Sequence, residues 1–144
     1  MAYQGNFEYD LLFSRSNVNP INGFFFIKYL NIKLNILKLS QIIKVAYQES
    51  EKALKKNEVP VGAVIFNDKK IISKAHNLVI KNNDPLAHAE YIAIKKAVKK
   101  LKTNNLKGYK IYSSLEPCIF CSYAISKYLI SSIYFGLHDD NNLG

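Results

Sequence analysis

From Leu39 the apolar positions fall into register. Leu39, Ile42, Ile43, Ala46, Ser50, Ala53 and Leu54 recur at steps of three and four, with Lys44, Glu51, Lys52 and Lys55 on the other side. That spacing predicts an amphipathic helix to about Lys56. Pro60 ends it, and Val61-Gly62-Ala63-Val64-Ile65-Phe66 is an apolar run of strand length. Asn67-Asp68 carries turn chemistry and Ile71-Ile72 opens a second strand, so a hairpin is expected.

Asn83-Asp84-Pro85 reads as a helix start, with Asp84 as cap and Pro85 in the first turn, where a missing N–H costs nothing. The helix should run through Ala93 and Val98 to about Leu101 before Asn104, Asn105 and Gly108 break it. Tyr109 to Ser114 alternates like a strand. Glu116-Pro117 repeats the start signal and leads a helix from Cys118 to about Leu129. Ser132-Ile133-Tyr134-Phe135 is a last strand, closed by Gly136. Helix, hairpin, then helix-strand-helix-strand predicts an α/β sandwich with parallel pairing across the crossovers.

Residues 1 to 36 differ from the rest, mixing aromatics and asparagines without a sustained period. We read them as an appendage, with local helix after Phe24. The stretch from Gly23 to Leu39 is interrupted by Lys28, Lys33 and Lys38 and is too charged to span a bilayer. The start is acidic (Glu8, Asp10) and no export signal stands out, so a cytoplasmic protein is expected.

At 144 residues and 16.4 kDa the chain has room for one core and needs no disulfide framework. Six glycines and four prolines exclude collagen-like and low-complexity classes. The net charge of +9 favours an anionic partner. Almost all of it is lysine, with Arg15 the single arginine, and asparagine and isoleucine are also abundant. An AT-rich coding sequence would produce the same trio. Lys95, Lys96, Lys99, Lys100 and Lys102 fit either an RNA-facing patch or a solvated outer face.

Cys118 and Cys121 share a helix face beside its N-terminus, where exposed N–H groups favour thiolate. Alone the pair is open between metal, redox dithiol and chance. His88 adds an imidazole. One nitrogen and two thiolates give zinc three protein ligands and leave a position for water, the count of a catalytic site rather than a structural one. Only His76 and His138 remain, so no fourth ligand is plainly available. Glu90, two residues past His88, is placed to manage the proton of a bound water.

His88-Ala89-Glu90 followed by Pro117-Cys118-Ile119-Phe120-Cys121 is the H-x-E…P-C-x-x-C pattern of the zinc-dependent nucleoside and nucleobase deaminases. With it come Glu58-Val59-Pro60-Val61-Gly62-Ala63-Val64, His76-Asn77, Asp84-Pro85-Leu86-Ala87, Ser114-Leu115-Glu116 and Phe135-Gly136. In order and spacing, from about residue 40 to 140, the chain resembles the bacterial tRNA-specific adenosine deaminase family. The resemblance implies a three-layer α/β/α cytidine-deaminase-like sandwich with a mixed sheet of four recognisable strands. It implies one Zn2+ per subunit on His88, Cys118 and Cys121, with Glu90 as proton shuttle and Asn77 bonded to the target base. A flipped-out adenine at the wobble position of a tRNA anticodon stem-loop would be attacked at C6, losing ammonia and leaving inosine. A homodimer is implied as well. On its own, without the resemblance, Asn77 reads better as a turn-forming asparagine.

By this reading residues 37–144 form the deaminase domain. The family continues past Phe135-Gly136 through a lysine-containing loop to further elements. Asp139 matches the family's aspartate, Asn141 stands at its lysine position, and the sequence stops at Gly144, so a C-terminally short domain is expected. Phe120 replaces a common methionine. Deaminases of guanine, cytosine or deoxycytidylate, and a zinc-binding remnant without activity, are the alternatives.

Overall fold

The computed structural model describes residues 24–139, with side chains from Asn35 onward except Leu37. Residues 1–23 of the expected appendage, and Asn141, lie outside the described residues. The elements are α1 (Phe24–Leu54), β1 (Gly62–Phe66), β2 (Ile71–His76), α2 (Val79–Asn82), α3 (Ala89–Leu101), β3 (Lys110–Leu115), α4 (Ile119–Lys127) and β4 (Ser132–Leu137).

The strands form one sheet in the order β2-β1-β3-β4. β1 is antiparallel to both β2 and β3, and β3 is parallel to β4. Parallel pairing across a crossover therefore holds for β3–α4–β4. β2 and β3 also run the same way, but β1 lies between them, so the α3 crossover skips a strand.

Central β1 is buried along its whole length, which its uninterrupted apolar run requires. Its side chains alternate between two cores. Val64 and Phe66, with Tyr112 of β3, pack under Ile42 and Ala46 of α1. Ala63 and Ile65, with Ala75 and Ile111, pack against Ala93, Ile94 and Ala97 of α3 and Ala124 and Ile125 of α4. Helix α1, the sheet, and the α3–α4 pair make three layers, as expected. A bulge opposite Ile65/Phe66 puts two successive residues on the α3 side, Ile72 in the core and Ser73, whose hydroxyl donates to Ala93 O, while Ile71 faces α1.

Gly62 sets how closely α1 approaches. A Cβ there would overlap the Ala46 carbonyl oxygen and lie 2.6 Å from the Ser50 nitrogen. The helix backbone thus rests directly on β1.

Several boundaries differ from expectation. Helix α1 is continuous from Phe24 rather than starting at Leu39. Helix α3 starts at Ala89, because Asp84 accepts from the Leu86 N–H within a turn and Leu78 N–H bonds Ala87 O. Pro85 is therefore in a loop, which also contains the unanticipated α2. Helix α4 ends at Lys127, two residues short of Leu129. Gly136 lies inside β4 rather than closing it, since the strand continues to Leu137 against Leu115.

The two sheet edges differ. Along β2, Lys100 Nζ bonds Ile72 O at 3.0 Å and Lys96 Nζ bonds Lys74 O at 3.2 Å, the way charges blunt an edge strand. The α3 lysines are solvent-facing, and these two cover backbone. β4 carries no charged residue and exposes Ile133, Tyr134 and Leu137.

Candidate zinc site

The two helices flanking the β3 crossover begin with ligand-type residues. His88 is the N-cap of α3 and Cys118 the N-cap of α4, both with extended backbones, and neither side chain caps its own helix. Each side chain is thus free to point across the gap between the helix ends. Cys121, in the first turn of α4, is fully buried, whereas His88 and Cys118 are half-buried.

His88 Nδ1 lies 3.5 Å from the sulfur of Cys118 and 3.5 Å from that of Cys121. The three donor atoms all fall within 4.8 Å of one another. With zinc–sulfur bonds of about 2.3 Å and zinc–nitrogen bonds of about 2.0–2.1 Å, a tetrahedral ion needs a nitrogen–sulfur edge of about 3.5 Å. The cluster already has that edge.

Charge points the same way. Burial, and next the neighbouring Glu90 carboxylate, push the Cys121 thiol well up, so the pocket on its own resists a thiolate. A divalent cation reverses this, because a coordinating thiol gives up its proton to the metal. The donor set fits zinc and is poorly suited to an isolated redox dithiol.

Glu90 is 4% exposed, deep enough that its carboxylate must be held by partners. The Ser113 hydroxyl donates to Oε1 at 2.8 Å, and Oε2 lies 3.6 Å from the Cys121 sulfur. Positions 88 and 90 would diverge in mid-helix. At the helix start His88 is not yet helical, so imidazole and carboxylate converge on the same corner.

These residues open into a cavity of about 350 Å³ walled by Val59, Val61, Val79, Ile80 and Leu115, with Asn77, Glu58, Glu116 and Asp139 supplying polarity. Asn77 is 5% exposed, and its N–H bonds Val61 O at 3.1 Å, one step beyond the last pair of the β1–β2 ladder. A larger hollow of about 660 Å³ lies between α1 and the β1–β2 turn, beside Lys110 at the start of β3, and holds none of these residues.

Sequence reasoning gave no role to the supports. Glu58 accepts from the N–H groups of Ile80 at 3.0 Å and Lys81 at 2.7 Å, tying α2 to the cavity. Burial would raise the Glu58 carboxyl, but these two bonds outweigh it and hold it below its ordinary value. Glu116 accepts from His138 and from the Asp139 N–H. Phe120 stands edge-on to the rings of His88 and Tyr91, walling the imidazole from behind. Ser113 was hidden inside a strand, and only its being a hydroxyl on a buried strand hinted at a polar partner.

A nitrogen and two sulfurs at two helix starts, beside a buried carboxylate and an open cavity, define a mononuclear zinc enzyme of the deaminase type. The chain belongs to the family described as the cytidine and deoxycytidylate deaminase zinc-binding region, which matches residues 37–137. It is 48% identical over 102 residues to a tRNA-specific adenosine deaminase of Aquifex aeolicus, covering 71% of this chain and 68% of that protein. A tRNA-specific adenosine deaminase of Rickettsia bellii is 41% identical over 102 residues, covering 69% and 70%. Among solved structures, one from work on A-to-I editing by tRNA:A34 deaminases superposes with a TM-score of 0.71 at 35% identity, covering 72% of this chain and 80% of that one. Guanine deaminase from Bacillus subtilis gives 0.66 at 34% identity, covering 69% and 64%.

Proposed function

We propose that this chain is a zinc-dependent hydrolytic deaminase that converts adenosine to inosine at the wobble position of a tRNA anticodon. The observation that carries the reading is the convergence of His88 Nδ1 and two sulfurs, with Glu90 Oε2 beside them, at the mouth of a cavity reached by Asn77. The identity to tRNA-specific adenosine deaminases supplies the substrate.

His88, Cys118 and Cys121 would hold the ion. Zinc, when bound, brings the pKa of a coordinated water from about 15.7 to about 7. Glu90 takes the proton of the attacking water on Oε2 while Ser113 steadies Oε1. It gives that proton to the ring nitrogen of the base, then takes the remaining proton from the new C6 hydroxyl and passes it to the leaving amine. The C6–O bond forms, the C6–N bond breaks, and water plus adenosine become ammonia plus inosine. Asn77 can donate and accept at once, which suits the edge of a purine. The apolar walls keep bulk water from the reacting carbon.

The +9 charge suits a polyanionic substrate. A cytoplasmic homodimer with one zinc per subunit completes the reading. Ile119 is 71% and Tyr123 62% exposed on the outer side of α4, next to Cys118, and offer an apolar surface for a second copy. The deaminase domain is assigned to residues 37–144, supported by the family match over 37–137. Among the described residues no helix is long and apolar enough to cross a membrane.

The similarity to guanine deaminase gives a second reading, action on a free base. One assay separates them: zinc content and product formation on an anticodon stem-loop, free guanine and free cytidine, with Glu90→Ala as control. The expected result is one zinc per chain and inosine in the stem-loop only, with Glu90→Ala keeping zinc and losing turnover. Guanine turnover without inosine would support the second reading. Stoichiometric zinc with no product from any substrate would leave a zinc-binding remnant.

A further inference from the structure

One buried carboxylate takes no part in the chemistry above. Glu49 on α1 is 4% exposed, yet charged. Its Oε1 lies 2.7 Å from Lys52 Nζ and 3.6 Å from Lys74 Nζ, and its Oε2 lies 2.9 Å from His76 Nδ1. Burial alone would raise its pKa, but the bonds from Lys52 and His76 outweigh burial and hold it below the ordinary value. The other nitrogen of His76, Nε2, sits 2.9 Å from Lys56 Nζ. An ammonium can only donate, so Nε2 accepts and Nδ1–H donates to Glu49. His76 is thus held by α1 through Nδ1 and by the turn that follows α1 through Nε2.

His76 is the last residue of β2 and is paired with Gly62. Gly62 is where α1 lies against the sheet, and a Cβ there would come within 2.9 Å of Glu49 Cβ. The missing side chain lets the carboxylate reach the strand end. The next residue is Asn77. Successive strand residues face opposite sides, so His76 fastened to α1 directs Asn77 into the cavity.

We propose that Glu49 and His76 are positioning residues: the α1 carboxylate, acting through His76, fixes the strand end that presents the Asn77 carboxamide to the substrate base. The proposal rests on the reading of Asn77 as a base contact. Glu49 touches neither metal ligand nor cavity, so its effect on turnover passes through Asn77. A carboxylate that served only to join helix and sheet would contribute to stability and leave catalysis alone.

A double-mutant cycle tests this, with kcat and KM on the stem-loop, zinc content and thermal stability read for each variant. Glu49→Ala should lower kcat/KM roughly tenfold, the size of one lost charged hydrogen bond, with zinc still at one per chain. Glu49→Gln keeps an acceptor for His76 Nδ1–H and should recover most of the loss. In an Asn77→Ala background, Glu49→Ala should add less than about twofold. An equal loss in both backgrounds, or no loss in either, overturns the proposal.

If Glu49→Ala does not fold, His76→Phe keeps the ring volume, removes both bonds and takes its place in the cycle. Should the wild type make no inosine, the substrate reading has failed and the positioning claim is judged by nuclear magnetic resonance. The Asn77 carboxamide signals, assigned by their loss in Asn77→Ala, should shift or broaden in Glu49→Ala and return in Glu49→Gln. Signals unmoved in Glu49→Ala overturn the proposal without reference to activity.

Discussion

The hydroxyl of Ser113, on β3, donates to one oxygen of Glu90, on α3, at 2.8 Å, and so leaves the other oxygen facing the sulfur of Cys121 at 3.6 Å. A strand inside the sheet thereby aims a carboxylate on a helix outside it. In the proposed chemistry, fixing Oε1 on the sheet keeps Oε2 turned toward the metal-binding group, where a carboxylate that accepts and returns protons is needed.

Ser113→Ala should therefore lower kcat by roughly tenfold to a hundredfold, since a hydrogen bond to a charged group contributes about 1.5–3 kcal/mol. KM and zinc content should stay near wild type, because Ser113 does not itself line the cavity and bonds no metal ligand. Steady-state kinetics with metal analysis on the same sample checks it. An unchanged kcat would mean that Glu90 orients itself.

Chelation should lower the melting temperature of the wild type and leave Cys121→Ser unmoved. Binding to the folded state alone stabilises it by about 4 kcal/mol when free zinc is a thousand times its dissociation constant. Scanning calorimetry with and without chelator makes the comparison. A melting temperature in the wild type indifferent to chelator would count against the His88–Cys118–Cys121 cluster as a tight site.

Gly62→Ala should destabilise the fold by roughly 3 kcal/mol, because the added carbon meets helix backbone rather than a side chain that could swing away. Denaturant titration reads it directly. Gly108 is the comparison position. Nothing lies within 4 Å of a Cβ there, although its φ of +85° adds local strain of its own. The Gly62 loss should exceed the Gly108 loss.

The carboxyls of Glu49 and Glu58 both lie below their ordinary value of 4.5. A group whose folded pKa is depressed adds stability that is fully present above its unfolded pKa and lost as pH falls through the folded one. Wild type and Glu58→Gln should therefore differ in melting temperature at pH 6–7, and the gap should close as pH drops below about 4.5. A gap that widened on acidification would reverse the sign and refute the clamp on α2.

The metal cluster was legible in the sequence because its logic is local. His88 and Glu90 are two apart, Cys118 and Cys121 three apart, and Glu116-Pro117 marks the helix start that holds the cysteines. The supports were not legible. Ser113 meets Glu90 across 23 residues, Glu49 meets His76 across 27 and Glu58 meets Ile80 across 22. Nothing in a short window distinguishes such a hydroxyl or carboxylate from a solvated one. The start of α3 was misplaced for a related reason. Asp84-Pro85 has the chemistry of a helix cap, but Asp84 spends its side chain on the Leu86 N–H in a turn. The α2 helix has four residues and depends on Glu58, so its own sequence did not announce it. Strand order depended on long-range pairing, and the skipped strand between β2 and β3 is invisible to a reading of neighbours.

Histidine and cysteine are poor choices for the residue that precedes a helix, and at positions 88 and 118 neither offers an oxygen to the backbone amides behind it. Serine or aspartate at either place would strengthen the fold by about 1 kcal/mol. A designer who selected this protein for heat resistance alone would be drawn to those two replacements early. The resulting chain would gain about 2 kcal/mol from two caps and forfeit the roughly 4 kcal/mol that a tightly bound ion adds, so the cost of the two awkward helix beginnings is offset only through the metal they hold.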